Sequence, residues 1–196
     1  MGPRPGQWIC LLCAAALLCA CAPYIQSWPP PSRAPALTAH RFITADGTAL
    51  PLSRWIPRGI PRAVIVAVHG FADYRRAFAY AGPYLARRGI AVYAYDQRGF
   101  GAAPHAGLWP GETVLAGDLR QFSALIRGRY PGIPLYWLGH SMGAAVVVLA
   151  AAGSGAPPVD GLILDAPAVW GDGEFSTWRR IVLWTAAHTV PWLQFS

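Results

Sequence analysis

The chain has 196 residues, of which 54% are hydrophobic and 13% are charged, and its formal net charge is +7. This length is enough for one domain with a sizeable core, and the hydrophobic fraction excludes a disordered chain. Every basic residue is an Arg, and the Arg are scattered singly or in short pairs. Because no basic run or basic helix is present, nucleic-acid binding is not expected.

The N-terminus carries an apolar stretch from Trp8 to Ala22, preceded by Arg4 and containing all four cysteines. A helix that spans a membrane needs about 20 residues, so this shorter stretch predicts a secretory signal peptide. Its end, Leu-Cys-Ala-Cys, resembles a bacterial lipobox, which implies that Cys21 is lipidated and anchors the mature protein in the membrane. Ala22 is not the Asp that retains such proteins at the inner membrane. The resemblance therefore implies an outer-membrane lipoprotein facing the periplasm. The alternatives are a cleaved signal with a secreted or periplasmic product, and an uncleaved anchor.

Strand-like and helix-like segments alternate from residue 36 onward. The apolar, β-branched run at residues 63–69 is typical of a strand buried on both faces, and such strands are central and parallel. Strands and helices at this spacing predict an α/β fold, with a mostly parallel sheet flanked by helices. Strands are predicted at residues 40–44, 50–55, 63–69, 90–95, 134–138 and 159–164, and helices at residues 74–88, 112–129, 142–151 and 178–188.

A Gly-x-Ser-x-Gly pentapeptide lies between the predicted strand 134–138 and the predicted helix that follows it. This context is what a nucleophile elbow requires. The tight turn leaves no room for side chains at its two glycines, and it exposes the Ser141 hydroxyl where the helix N-terminus favours negative charge. Ser141 is therefore predicted to be a catalytic nucleophile; alternatively, it only caps the helix. The elbow consists of Gly139, His140, Ser141, Met142 and Gly143.

Two further motifs precede the elbow. His69-Gly70-Phe71 follows the first buried strand, and residues 96–101 read Asp-Gln-Arg-Gly-Phe-Gly after the second. With these three motifs in this order, the chain resembles the monoacylglycerol lipase and lysophospholipase branch of the α/β-hydrolase fold, the serine aminopeptidase S33 group. The resemblance runs from about residue 41 to the C-terminus.

The resemblance assigns roles to these motifs. In the α/β-hydrolase fold, His-Gly at this place opens the loop that binds the oxyanion, so His69 and Gly70 would form that loop. The backbone N–H groups of Phe71 and Met142 would bind the oxyanion. The alternative is an ordinary strand-end turn with His69 satisfied in the core. Residues 96–101 are predicted to be structural: their Asp and Arg pin a loop, and their glycines allow a close approach to the elbow.

A serine nucleophile also needs a His base and an orienting carboxylate, which in this fold follow the serine as acid and then His. Asp165 ends the last predicted strand and is a weak candidate for the acid, ahead of Asp160 and Asp172. His188 is the only His after Ser141, but no recognisable strand precedes it, so it is a weak candidate for the base. The fold's usual acid and His follow strands that this chain is expected to lack, which predicts a C-terminal truncation.

These features divide the chain into four parts: a signal peptide (1–20), a Pro-rich tether (21–35), the N-terminal part of a hydrolase core (36–170) and the beginning of a cap (171–196). The Trp-rich stretch in the last part fits an acyl-binding cap over Ser141, or equally the packing residues of any cap helix. No metal is expected, because the five His show no metal-ligand spacing. No cofactor is expected either, because dinucleotide and phosphate-binding motifs are missing.

The function predicted from the sequence is a serine hydrolase that cleaves a carboxylic ester. By resemblance, its substrate is a monoacylglycerol, a lysophospholipid or a similar small-molecule or lipid ester. The alternative is a catalytically inactive lipoprotein that keeps the fold as a binding or structural module. A peptidase is a weaker third possibility, because the sequence shows no acidic subsite for an α-amine.

Overall fold

Seven strands form one mixed sheet in the computed structural model, which describes residues 26–155, 157–169 and 176–189. Their order is β1-β2-β3-β5-β4-β6-β7. The first three strands are antiparallel and β3 pairs antiparallel with β5, whereas β5, β4, β6 and β7 are parallel. The strands are β1 (Ala36–Leu37), β2 (Arg41–Ile43), β3 (Ala49–Trp55), β4 (Ala63–Val68), β5 (Ile90–Tyr95), β6 (Leu135–His140) and β7 (Gly161–Asp165).

The described ranges also contain four α-helices and one short 3-10 helix. They are the 3-10 helix (Arg75–Phe78), α1 (Ala81–Ala86), α2 (Glu112–Arg129), α3 (Met142–Ala152) and α4 (Thr177–Thr189). The predicted α/β fold is confirmed. The predicted strands and three of the four predicted helices are also confirmed, with ends that differ by at most two residues.

The predicted helix over residues 74–88 is wrong: a 3-10 helix and the short α1 occupy this segment instead. Pro83 has no N–H and cannot donate to the carbonyl four residues earlier. An unbroken helix would therefore lose that bond at Ala79. Proline is tolerated in a first turn, and the chain accordingly starts a new helix at Ala81.

The central strand β4 divides the core into two layers. Its side chains alternate, so that Val64, Val66 and Val68 pack on one face while Ile65 and Ala67 pack on the other. All five are at most 5% exposed. Burying one such Val or Ile contributes about 1.5–3 kcal/mol, so this strand is held firmly. On the larger layer, α2 contributes Leu115, Leu119, Phe122 and Ile126, and α3 contributes Val146 and Val147.

The segment Gln26–Arg33 lies against the loops that follow β2 and β5. The backbone N–H of Gln26 donates to the Trp109 carbonyl at 3.2 Å, and the Trp28 indole N–H donates to the Pro110 carbonyl at 3.3 Å. The Arg98 guanidinium lies 4.3 Å from the centre of the Trp28 ring. This segment is therefore part of the folded surface.

Helix α4 belongs to a separate unit from residues 26–169. Its large apolar side chains at residues 178 and 181–184 are more than half exposed, and the Arg179 guanidinium lies 5.6 Å from the Trp178 ring centre. The predicted acyl-binding cap stays a prediction, as does its alternative. Among the helices in the described residues, none combines the length and apolar character that a bilayer crossing requires. Cys21 and the predicted signal peptide lie outside the described residues.

Candidate active site

The residues predicted to be functional meet at one edge of the sheet. Strands β4, β6 and β7 run parallel, so the loops after them emerge on the same side. The register pairs Val68 with Gly139 and His140 with Asp165. Ligands of open α/β sheets bind at this carboxyl edge. The topology therefore brings together the His69-Gly70-Phe71 loop, the elbow and Asp165.

Ser141 has the strained backbone that a nucleophile elbow requires. Its φ is 52° and its ψ is −117°, between the end of β6 and the first residue of α3. A non-glycine residue in such a region costs about 1–3 kcal/mol and persists where the surroundings hold it. Here the Ser141 N–H donates to the Asp165 carbonyl at 2.9 Å, and the Ser141 carbonyl accepts from Ala144 and Ala168. The residue is half-buried.

The elbow requires glycine at both of its glycine positions, because backbone atoms of neighbouring segments lie where a side chain would begin. A Cβ at Gly139 would clash with Ala144, and a Cβ at Gly143 would clash with the carbonyl of Val68. The expectation that side chains do not fit at either position is thus confirmed. The second clash also shows that the start of α3 lies directly on the end of β4.

Two backbone N–H groups are free to bind an oxyanion. In the described part of the chain, no group accepts a hydrogen bond from the N–H of Phe71 or of Met142. Met142 begins α3, where N–H groups have no partner within the helix and carry a partial positive charge. The His69-Gly70-Phe71 loop abuts Ser141, because a Cβ built on Gly70 would lie 3.4 Å from the Ser141 Cβ.

The His69 side chain is fully buried and hydrogen-bonded by both ring nitrogens. Nδ1 lies 2.8 Å from the Gly70 carbonyl oxygen, and Nε2 accepts from the Gln97 N–H at 3.0 Å. Burial lowers the pKa of His69, outweighing the hydrogen bond to Gly70 and the nearby carboxylates. The side chain is therefore a satisfied core histidine, and the backbone that follows it forms the loop beside Ser141.

Asp165 lies at the predicted edge but partners a different histidine from the one a triad would need. Its carboxylate is 2.8 Å from Nδ1 of His140, and both side chains are partly exposed. Together with its carbonyl bond to Ser141, this contact makes Asp165 a support of the elbow. Its assignment as the triad acid stays a prediction. His188 lies on α4, and its side chain falls outside the described residues, so the base also stays a prediction.

The Asp96–Gly101 segment pins loops, as expected. The buried Asp96 carboxylate accepts from the Arg75 N–H at 2.8 Å, from the Arg75 guanidinium at 2.6 Å and from the Ala102 N–H at 2.9 Å. The expectation that its glycines approach the elbow is wrong. The nearest atoms to a Cβ at Gly99 belong to Leu108 and Pro110, and those near Gly101 belong to Asp96 and Tyr74. The close approaches between the elbow and the end of β4 with its following loop occur at Gly70 and Gly143 instead.

Arg98 of the same segment is the centre of a buried ion network. Its guanidinium donates to both oxygens of Asp118, at 2.7 and 2.9 Å, and to Asp46 at 2.6 Å. These carboxylates raise the pKa of Arg98 against the opposing effect of burial. Burial raises the pKa of Asp118 to about 6, although Arg98 opposes the rise. The pKa of Asp46 lies well below its usual range, because the hydrogen bonds to it outweigh its burial.

Sequence reasoning did not single out Gln97 or Arg75. Gln97 occupies the variable place in Asp-x-Arg, and Arg75 lies in the segment predicted as plain helix. Both act across the sheet edge, Gln97 on His69 and Arg75 on Asp96. No local pattern marks such contacts. In residues 26–155, 157–169 and 176–189, no three His, Cys, Asp or Glu side chains cluster in a way that could hold a metal ion.

Comparison with known proteins agrees with this geometry. The family model described as "Serine aminopeptidase, S33" matches residues 59–196. The chain is 29% identical over 153 residues to the monoglyceride lipase of Rattus norvegicus, covering 78% of this chain and 50% of that protein. It is 30% identical over 138 residues to the monoacylglycerol lipase of Mycolicibacterium smegmatis, covering 66% and 46%. The chain thus spans about half the length of these curated relatives.

Solved structures show the same fold. A soluble variant of the Saccharomyces cerevisiae monoglyceride lipase, in complex with a substrate analogue, matches with a TM-score of 0.59 and 22% identity, over 88% of this chain and 57% of that one. An open-form lipase matches with a TM-score of 0.56 and 27% identity, over 66% and 44%. The predicted resemblance is confirmed.

Proposed function

Because the chain belongs to the serine aminopeptidase S33 family and has the α/β-hydrolase fold, we propose that it is the nucleophile-bearing part of a serine ester hydrolase. The observation that carries the proposal is the strained Ser141, next to two backbone N–H groups without partners in the described residues. Strain of this kind lowers the stability of the fold, and an inactive binding module would have no function for it. This favours the enzyme over the inactive alternative.

The proposed reaction is acyl transfer through Ser141. Its hydroxyl oxygen attacks the ester carbonyl, and the carbonyl oxygen becomes an oxyanion that accepts hydrogen bonds from the Phe71 and Met142 N–H groups. Collapse of this intermediate expels the alcohol and leaves an acyl-Ser141 ester. Water then attacks the acyl group and releases the acid. A general base must take the Ser141 proton and give it to the departing alcohol oxygen; in the second step it takes a proton from the water and returns it to Ser141. His188 stays the sequence candidate for this base.

The proposed substrate is a monoacylglycerol or a similar lipid ester. Support comes from the relatives, since those of rat and of Mycolicibacterium smegmatis are named for action on monoglycerides or monoacylglycerols. We also propose that Cys21 carries the lipid that anchors the protein at the outer membrane. Support for the anchor is the lipobox-like sequence that ends at Cys21. A membrane anchor would hold the enzyme close to such substrates.

The proposal is tested by labelling the full gene product with a fluorophosphonate probe and by measuring hydrolysis of a monoacylglycerol. Replacing the nucleophile, Ser141→Ala, is expected to abolish labelling and to lower kcat by a factor on the order of 10⁴ or more. The exposed Ser154 in a turn after α3 offers the matched control, and Ser154→Ala should leave both unchanged. Labelling and hydrolysis that persist in Ser141→Ala would overturn the assignment.

A further inference from the structure

The proposed mechanism uses the backbone beside His69 but leaves its imidazole without a role. The ring is fully buried under the oxyanion loop. Its Nε2 accepts a hydrogen bond from the Gln97 backbone N–H, so this nitrogen carries no proton. A neutral imidazole bears its single proton on the other nitrogen. Nδ1–H therefore donates to the Gly70 carbonyl oxygen, 2.8 Å away. The lowered pKa of His69 agrees with a neutral ring.

That hydrogen bond fixes the direction of the catalytic N–H. The Gly70 carbonyl and the Phe71 N–H belong to one peptide unit, which is planar and trans, so the two groups point in opposite directions. Holding the carbonyl toward the buried imidazole turns the Phe71 N–H away from it. The N–H is thereby kept out of the core hydrogen bonds and free for a substrate oxygen.

The peptide needs this restraint because residue 70 is a glycine. A Cβ at Gly70 would lie 3.3 Å from the His140 ring and 3.4 Å from the Ser141 Cβ, a closer approach than most side chains tolerate. Glycine solves the packing problem, but it also has the freest backbone of any residue. Without a partner for its carbonyl, the Gly70–Phe71 peptide could rotate and withdraw the oxyanion donor.

Gln97 holds the imidazole in turn. Besides its N–H contact to Nε2, its side-chain Nε2 donates to the His69 carbonyl at 2.8 Å. Gln97 follows β5 and His69 follows β4, which are neighbouring parallel strands. The two hydrogen bonds therefore join the ends of both strands directly below the loop. Gln97 is itself fully buried, so water does not compete for these bonds.

We propose that His69 and Gln97 are positioning residues, which hold the Gly70 carbonyl inward so that the Phe71 N–H faces the oxyanion. This inference rests on the proposed function, because it assigns a task within the same acyl-transfer site. It differs from the expected role of the loop, which needed only backbone groups: here one particular side-chain tautomer sets the backbone direction.

Two substitutions of His69 distinguish a positioning role of its side chain from a purely structural one. In His69→Asn the amide nitrogen replaces Nδ1 and can still donate to Gly70. In His69→Gln the amide oxygen replaces Nε2 and keeps the contact to Gln97, but the donor to Gly70 is lost. Removal of one oxyanion donor typically costs about 10²–10³ in kcat. We expect such a loss for His69→Gln, with KM changed less than about threefold, and a loss below about tenfold for His69→Asn.

The assay includes wild type, Ser141→Ala and thermal unfolding of each variant in the full-length protein. Equal kcat losses in both His69 variants, or full activity in a folded His69→Gln, would overturn the positioning role while leaving the proposed function intact. Wild-type turnover that does not depend on Ser141 would instead overturn the proposed function.

A second measurement does not need activity. Nitrogen-15 NMR of the imidazole should show a protonated Nδ1 and an unprotonated Nε2 for His69 at neutral pH. Observation of the opposite tautomer would overturn the inference, since an unprotonated Nδ1 cannot donate to Gly70. Gln97→Leu removes only the side-chain bond to the His69 carbonyl and keeps the backbone N–H that His69 Nε2 accepts, so the Nδ1–H form should persist in this variant.

Discussion

A single buried guanidinium joins segments that are far apart in the chain. Arg98 is 2% exposed, and its guanidinium N–H groups donate to Asp46 in the β2–β3 turn and to Asp118 in helix α2. A buried charge is tolerated only when it is paired, and removing one partner exposes the other to the full cost of desolvation. The Arg98 network therefore stabilises the loop after β5, the same loop from which Gln97 reaches His69.

Truncation of Asp118 tests this network. We expect Asp118→Ala to lower the free energy of unfolding by about 3 kcal/mol, because the buried Arg98 loses two charge-assisted hydrogen bonds and keeps its hydrogen bonds to Asp46 and Thr48. The control is Asp160→Ala, which removes the partly exposed ion pair with Arg127 and the hydrogen bond from the Leu135 N–H. It should cost less, because no buried charge is left without its partner. Chemical denaturation of both variants gives the comparison. Similar losses would show that Arg98 does not depend on Asp118.

The junction of β4 and α3 is the element on which the site depends. The proposed oxyanion loop follows the end of β4, and Met142, the second proposed oxyanion donor, begins α3. The carbonyls of Val68 and His69 lie so close to Gly143 that a methyl group does not fit. The two donors are thus held in register by direct backbone packing, which is a more rigid link than a contact between side chains.

A one-carbon change at this junction should separate the two elements. Overpacking in Gly143→Ala is expected to lower the free energy of unfolding by about 1–3 kcal/mol. It should also reduce kcat strongly, because α3 must move away from β4. The matched control is Gly128→Ala on the open surface of α2, where no atom lies within 4 Å of the added Cβ. The free energy of unfolding of Gly128→Ala should rise by about 0.5–1 kcal/mol, since alanine is the better helix former. Thermal unfolding and hydrolysis rates measure both. Normal activity in Gly143→Ala would argue against the packing role of this glycine.

The whole protein is proposed to be held at a membrane by its N-terminus. Replacement of the lipidated residue, Cys21→Ser, should move the protein from the membrane fraction to the soluble fraction after cell lysis. Cys13→Ser is a matched control, because it lies inside the predicted signal peptide and should leave the distribution unchanged. Immunoblots of the two fractions give the readout. Membrane association that survives Cys21→Ser would favour an uncleaved anchor.

Much of the fold could be predicted from the sequence, because its signals are local. The apolar run of β4, the periodic apolar residues of α2 and the glycines of the elbow each lie within one short segment, and each was identified correctly. The break in the helix near Pro83 does not follow from the sequence pattern, because the surrounding residues favour a helix and only the missing N–H of Pro83 opposes it.

The sequence by itself determined the order of strands and helices, because those patterns are local, and the family, because three short motifs follow one another in the family's order. It also predicts Ser141 as the nucleophile. Only the tertiary structure decided which groups meet at the sheet edge. Gln97 reaches His69 across 28 positions, Arg98 reaches Asp46 across 52, and Asp165 supports His140 across 25. The first and third contacts arise because parallel strands align their carboxyl ends, whereas the second arises because β3 pairs antiparallel with β5 and brings the β2–β3 turn to the same edge. The direction of the Phe71 N–H follows from that alignment, because its peptide is held by a side chain whose own partner comes from the neighbouring strand.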